Sequence, residues 1–226
     1  GIANGATLTE ATQPTGVVQV TAESGLSVVV VFTRAGGGTV TKTLVGTGSS
    51  QAVVLTSGDV ATLGNGVVGV TATSADSVGN TAQATTSFTL DTVAPNAPTL
   101  ALGTGVANGA SLAEATQASG VVTVAGETGA VITVTFSRAG GGTVTKTLTG
   151  TGSAQPVVLT APDVTSIGNG LINVTATQAD AAGNPQTALA AASSFTLDAV
   201  APSVTNVTST VANGTFGASQ AIPIQI

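Results

Sequence analysis

Apolar and polar positions alternate along this chain over short stretches, the period-two signal of half-buried strands. Val28, Val30 and Phe32 share one register and Phe88 and Leu90 another, with Thr89 between them. Glycine-rich punctuation separates these stretches: Glu23-Ser24-Gly25, Ala35-Gly36-Gly37-Gly38, Gly46 to Ser50, and Asp76 to Asn80. The pattern predicts strands over 16–22, 26–34, 39–44, 52–56, 67–73 and 85–90. One helical turn is expected over 59–65, opened near Thr56 or Ser57 and closed by Asn65-Gly66. Residues 1–16 read as irregular, with Asn4-Gly5 as a turn.

The pattern occurs twice. Residues 1–80 align with 105–184 at a constant offset of 104, with about 51 of 80 positions identical. Past Asn80 the second copy gains three residues, so Phe88 corresponds to Phe195. Differences between the copies show which face is buried. Val29 and Val31 become Thr133 and Thr135, whereas Val28, Val30 and Phe32 become Ile132, Val134 and Phe136. Positions that stay apolar alternate and therefore point inward. The same comparison places Val18, Val20, Val68, Val70, Ala72, Phe88 and Leu90 in the first core. Val122, Val124, Ile172, Val174, Ala176, Phe195 and Leu197 belong to the second. About seven short strands with frequent turns per copy predict an all-β fold, tandem immunoglobulin-like antiparallel sandwiches, with a barrel as the runner-up.

The copies are joined by Phe88-Thr89-Leu90-Asp91-Thr92-Val93-Ala94-Pro95, which returns as Phe195-Thr196-Leu197-Asp198-Ala199-Val200-Ala201-Pro202. Pro95 and Pro98 stop regular pairing and stiffen the chain beyond the strand end. The expected units are 1–94, 95–202 and an incomplete third over 203–226. In the third, Val211-Ala212-Asn213-Gly214 echoes the earlier Ala-Asn-Gly, and Ile222, Ile224 and Ile226 alternate. Twenty-four residues do not bury three isoleucines by themselves, and donation of this strand to another subunit is one way to order them.

Composition narrows the function. Four basic residues against ten acidic ones leave a net charge of −6, with only 6% of residues charged. Nucleic acid demands clustered cations, so it is an unsuitable partner. The absence of cysteine removes disulfides and thiolate metal sites, and suits a large secreted bacterial protein. No apolar run approaches the roughly 18 residues of a membrane span. Gly1 is not an initiator methionine and no signal peptide is present, so the chain is expected to be a piece of something longer. Without histidine there is no Ser-His-Asp triad and no common zinc triad, and without Trp or Tyr no platform for a sugar. The glycine run at 36–38 lacks the Gly-Lys-Ser/Thr ending of a phosphate loop. The chain is expected not to be an enzyme.

The loop Asp76-Ser77-Val78-Gly79-Asn80, the strand end Phe88-Thr89-Leu90-Asp91 and the joint Ala94-Pro95 together resemble tandem bacterial Ig-like repeats of giant surface adhesins. Such repeats carry a D-x-A-G-N loop and a D-T-x-A-P linker. The second copy is closer in the loop, with Asp180-Ala181-Ala182-Gly183-Asn184, and the first departs at Val78. The resemblance covers roughly residues 1–202. It implies an extender or stalk region of an extracellular, cell-surface adhesin involved in biofilm-type adhesion. It also implies calcium at the junctions and neighbouring repeats as the partners. An assembling filament or surface-layer subunit, paired with other copies through its C-terminal strand, is the alternative.

In such a sandwich Glu23, Asp59 and Asp91 are expected at the exit end of the first unit, facing Glu114, Asp180 and Asn184 of the second. Oxygen ligands from two bodies suit Ca²⁺, which takes six to eight of them. The ligand candidates are Asp91, Asp198, Asp76, Asp180, Asn80, Asn184, Glu23, Glu127, Asp59, Asp163 and Glu114. Plainer readings stand beside this one. Asp76 and Asp180 suit Asx turns, with Asn80 and Asn184 in the left-handed region. Asp59 and Asp163 suit helix caps, and Glu10 and Glu114 suit solvated surface. Arg34 and Lys42, repeated as Arg138 and Lys146, read as paired surface residues.

Overall fold

The computed structural model describes residues 4–209, 212, 214, 215, 217–219, 221, 224 and 225. In the first repeat a short helix α1 (Leu8–Ala11) leads to β1 (Val18–Thr21), β2 (Ser27–Arg34), β3 (Thr39–Val45) and β4 (Ser50–Val53). Helix α2 (Ser57–Leu63), β5 (Gly66–Ala75) and β6 (Thr81–Leu90) complete it. One sheet has the order β3-β2-β5-β6, all antiparallel, and β1 pairs with β4 in the second. The second repeat opens with β7 (Thr99–Leu102), a single 3-10 turn at Val106–Asn108 and α3 (Leu112–Ala115). It continues through β8 (Val122–Ala125), β9 (Val131–Arg138), β10 (Thr143–Thr149), β11 (Gln155–Val157), α4 (Ala161–Ile167), β12 (Gly170–Ala179) and β13 (Ala191–Leu197). Its sheets are β10-β9-β12-β13 and β11-β8-β7. The all-β, two-sheet architecture is the one expected from the alternation.

Each repeat has its own core, drawn from both of its sheets. In the first, Val20 and Val53 of the small sheet meet Val28, Val30, Phe32, Val68 and Phe88 of the large one. In the second, Val122, Val124 and Val157 meet Ile132, Val134, Phe136, Ile172 and Phe195. Phe32 and Phe136 are fully buried, which favours folding by about 1.5–3 kcal/mol each relative to exposure. Phe32 also meets Phe88 edge to face, with ring centroids 6.4 Å apart. The face chosen by comparing the copies is the buried one, except that Val18 and Ala72 are only half-buried.

The strand boundaries shift by a few residues from expectation, most at β6, which begins at Thr81 rather than 85. Helix α2 opens where expected, capped by Thr56: its hydroxyl accepts from Asp59 N at 3.2 Å, and Asp59 Oδ2 accepts from Thr56 N at 2.7 Å. It closes at Gly64, whose φ of 69° suits glycine, rather than at Asn65-Gly66. Helices α1 and α3 and strand β7 go beyond the elements expected from the sequence. Thr7-x-x-Glu10 and Ser111-x-x-Glu114 are capping boxes that open α1 and α3, inside stretches read as irregular. Strand β7 begins immediately after Pro98, so the proline-marked linker is only a few residues long, and both Pro95 and Pro98 are buried.

After the second repeat, β14 (Thr208–Ser209) pairs with β15 (Ile224–Gln225) of the same chain. The expectations for Val211, Asn213, Ile222 and Ile226 fall outside the described residues.

Candidate functional site at the joint between the repeats

Strand β6 delivers Asp91 to the joint. Gly66 pairs with Leu90 at the end of the β5–β6 ladder. Next to it Ala6 N donates to Thr89 O at 2.7 Å and Asp91 N donates to Ala6 O at 2.9 Å. Asp91 Oδ1 accepts from Val93 N at 3.1 Å, and Asn65 Oδ1 accepts from both Thr92 N and Thr92 Oγ1 at 2.9 Å. The chain is thus held as it leaves the sheet. Gly5, with φ of 118°, lies against this turn; a Cβ there would sit 3.3 Å from Asp91 Cβ and 3.4 Å from Ala182 Cβ of the second repeat.

The facing surface is the 180–184 loop. Asp180 Oδ1 accepts from Gly183 N at 2.7 Å and Asn184 N at 2.8 Å, and its Oδ2 accepts from Asn184 Nδ2 at 2.8 Å. This is a carboxylate folding its own loop. The left-handed residue is Gly183, with φ of 103°, and not Asn184. Asn184 is free of that strain and reaches across the joint, donating from Nδ2 to Asp91 O at 2.9 Å. Gln178 holds the linker itself, donating from Nε2 to Asn96 O at 2.6 Å while its Oε1 accepts from Glu127 N at 3.0 Å. Gln178, Asp180 and Asn184 are the buried polar side chains of the described residues, at 5%, 7% and 8% exposure, and each is hydrogen-bonded, as burial demands.

The first repeat carries the same loop without a neighbour among the described residues. Asp76 Oδ1 accepts from Val78 N and Asn80 N, its Oδ2 accepts from Asn80 Nδ2 at 2.8 Å, and Gly79 has φ of 92°. Asn80 is exposed there and Asp76 half-buried. The Asn80 amide and the backbone bonds hold the Asp76 carboxyl below the usual carboxylate range.

The remaining candidates divide by strand register. Ser27 pairs with Ala75, so the turn holding Glu23 lies at the same end as the 76–80 loop, opposite Asp91. Glu114 lies at the far end of the second repeat, because Ala110 O accepts from Asp198 N. The expected gathering of Glu23 with Asp91, facing Glu114, is therefore corrected: the turn from β1 to β2 lies at the end of the sheet where β2 begins, which the register of β2 against β5 sets. Glu127, the counterpart of Glu23, lies in the turn at the joint end of the second repeat, where its main-chain N–H donates to Gln178. Asp198 accepts from Val200 N at 3.1 Å and repeats the Asp91 turn at the far end.

Asp59 and Asp163 cap α2 and α4 and pair with Lys42 and Lys146 at 2.5 and 2.6 Å. Partial burial pushes these carboxyls up, and the lysine and threonine hydrogen bonds together more than reverse it, leaving both lowered. Backbone bonds from Thr7 and Ser111 likewise lower Glu10 and Glu114. Arg34 and Arg138 donate from Nε to Leu63 O and Ile167 O, at the ends of these helices. Among the described residues no three carboxylates converge. The joint combines Asp91, Asp180 and Asn184 with main-chain oxygens, a donor set of hard-cation type in which both Asp180 oxygens already serve the loop.

No protein-family model matches the chain, and no curated protein does. Solved structures similar to it come from bacterial adhesins. One is a tetra-tandem repeat in the extending region of a large adhesion protein, with 23% identity and a TM-score of 0.39 over 79% of this chain and 43% of that one. A second is a Ca²⁺-stabilized adhesin that helps an Antarctic bacterium reach out and bind ice, with 27% identity and a TM-score of 0.39 over 88% and 48%. A third, from work on host cell surface retention of a 1.5-MDa bacterial ice-binding adhesin, has 20% identity and a TM-score of 0.39 over 86% and 62%. The chain covers between 43% and 62% of the length of these structures.

Proposed function

We propose that this chain is a stretch of extender repeats from an extracellular bacterial adhesin, a non-catalytic spacer whose joints resist bending. The observation that carries this reading is the contact of Asn184 with Asp91 O. A loop present in both copies clamps the exit of the preceding repeat, and the first repeat presents the same loop at its other end. Asp198 repeats the exit turn. Such a joint can be iterated, and each repeat then contacts only its neighbours. The sequence motifs at 76–80, 180–184 and 88–95 support the same reading. No helix among the described residues is long and apolar enough to cross a membrane.

Calcium is the finer part of the proposal. Asp91, Asp180 and Asn184 would hold the ion, with main-chain carbonyls and water completing the shell, at an affinity on the order of 10⁻⁴–10⁻³ M as in extracellular modules. The ion would add stiffness to a joint that the Asn184 hydrogen bond already crosses. Small-angle scattering in millimolar Ca²⁺ and then in excess chelator tests this. A broadened ensemble on chelation, reproduced by Asp91→Ala, is the expected result. An unchanged profile together with no bound Ca²⁺ would leave a joint held by prolines and hydrogen bonds alone.

A further inference from the structure

The two repeats differ together at four positions around one side chain. Ala22, Val28, Ser74 and Ala82 of the first are Gly126, Ile132, Gln178 and Gln186 of the second. The last two face each other across the same rung in both copies. Ser74 pairs with Ala82 in the β5–β6 ladder. Gln186 N donates to Gln178 O at 3.0 Å, and Gln178 N donates to Gln186 Oε1 at 2.7 Å. The Gln186 amide nitrogen turns to Ala188 O and Leu189 O, at 3.0 and 3.3 Å. Gln186 therefore secures the main chain of Gln178 where the chain has left the sheet, before β13 begins at Ala191.

The Gln178 side chain needs the room that Gly126 leaves. Gly126 is buried and lies outside the left-handed region, so its backbone does not require glycine. The turn itself is the same in both copies, with Gly48 N donating to Ala22 O and Gly152 N to Gly126 O. A Cβ at 126 would clash with Gln178 Oε1 and stand 2.6 Å from Ile132 Cδ1. Ala22 carries its Cβ beside Val28 and Ser74, which have neither that terminal methyl nor that amide. Volume given up at one position is taken up at the other two, as a close-packed interior demands.

The amide seated in this way holds the linker. Thr92 and Val93 are fastened to the end of the first repeat through Asn65 and Asp91, and Gln178 fastens Asn96 to the second. Ala94 and Pro95 lie between these anchors, and Pro95 is buried with its φ fixed by the ring. We propose that Gln178 is a linker lock, a positioning residue that limits how far the second repeat swings on the first, and that Gly126, Ile132 and Gln186 seat it. A second repeat given Ala, Val and Ser at 126, 132 and 178 keeps the fold and loses the lock, because a serine hydroxyl is too short to reach the linker. The same sandwich then carries joints of two stiffnesses. This rests on the reading of the chain as repeats whose joints resist bending.

Residual dipolar couplings on the whole chain test the lock. Both repeats of the native chain are expected to fit one alignment. In Gly126→Ala/Ile132→Val/Gln178→Ser, whose side chains the first repeat already accommodates, the couplings of the second repeat should shrink relative to those of the first. Gly126→Ala alone should displace the Gln178 amide and loosen the joint in the same way. It should also make the Glu127 amide exchange about tenfold faster, the factor for one lost hydrogen bond. The triple variant should recover the unfolding midpoint that Gly126→Ala lowers, without recovering the common alignment. A common alignment kept in the triple variant would overturn the proposal, as would one that returns together with the midpoint. Asn184→Ala in the same measurement separates the two readings. If it loosens the joint and the triple variant does not, the lock alone fails; if neither does, or if the native repeats align independently, the stiff joint fails with it.

Discussion

Asn184 donates its side-chain amide to the main-chain oxygen of Asp91, 93 residues earlier in the chain, at 2.9 Å. The same amide nitrogen also donates to Asp180 Oδ2 at 2.8 Å. One side chain therefore shapes its own loop and fastens that loop to the preceding repeat. Its counterpart Asn80 does only the first of these with the described residues, through Asp76.

That difference separates joint from loop. Asn184→Ala and Asn80→Ala delete the same local bonds, each worth about 0.5–1.5 kcal/mol net. Only the first removes a bond between repeats. Inter-repeat orientation, measured by residual dipolar couplings, is expected to broaden in Asn184→Ala and to be unchanged in Asn80→Ala. Equal effects would make the contact incidental to the joint.

The short helices depend on their caps. Thr56→Ala and Thr160→Ala are each expected to lower the stability of their own repeat by about 1 kcal/mol in urea unfolding. Lys42→Met should cost less, near the ~0–1 kcal/mol of partly exposed ion pairs, since the Lys42 and Asp59 side chains keep 28% and 18% exposure.

Core and surface positions should separate sharply. Phe136→Ala is expected to cost about 3–5 kcal/mol and to act on the second repeat alone. Val29→Thr should stay within about 0.5 kcal/mol, because Val29 is 38% exposed and the other copy already has Thr133 there. A large loss at Val29 would show that the outward face is packed in solution.

Acid should be the pH direction that matters. Glu10, Asp59, Asp76, Glu114 and Asp163 are all lowered in the folded chain. The unfolded chain therefore takes up protons first as pH falls. Their contribution is fully present above the ordinary carboxylate values near about 4, and is lost as pH falls through the lower folded-state values. With no histidine or cysteine, no side chain of ordinary pKa titrates between about pH 5 and 8. Unfolding midpoints measured across that range should be flat, with the decline confined to the acid side.

Much of this molecule is local, and local features are legible in the residues. Alternation decides which face of a strand is apolar, so comparing Val29 with Thr133 and Val28 with Ile132 identifies the buried side without knowledge of any contact. The Asp76–Asn80 and Asp180–Asn184 loops are equally visible, because their hydrogen bonds close within five residues. The capping boxes at Thr7 and Ser111 are just as local, and the Thr/Ser-x-x-Glu spacing is the signal that marks them.

Register and repeat-to-repeat packing belong to the tertiary structure. The end of the sandwich reached by a turn depends on how two strands slide against each other, which is why Glu127, and not Glu23 or Glu114, comes to the joint. The partner of Asn184 is set by two bodies meeting end on, and no spacing along the chain encodes that meeting. Strand β7 is four residues directly after Pro98, too short for alternation to announce. It is a strand because Val122 and Val124 offer it an apolar edge.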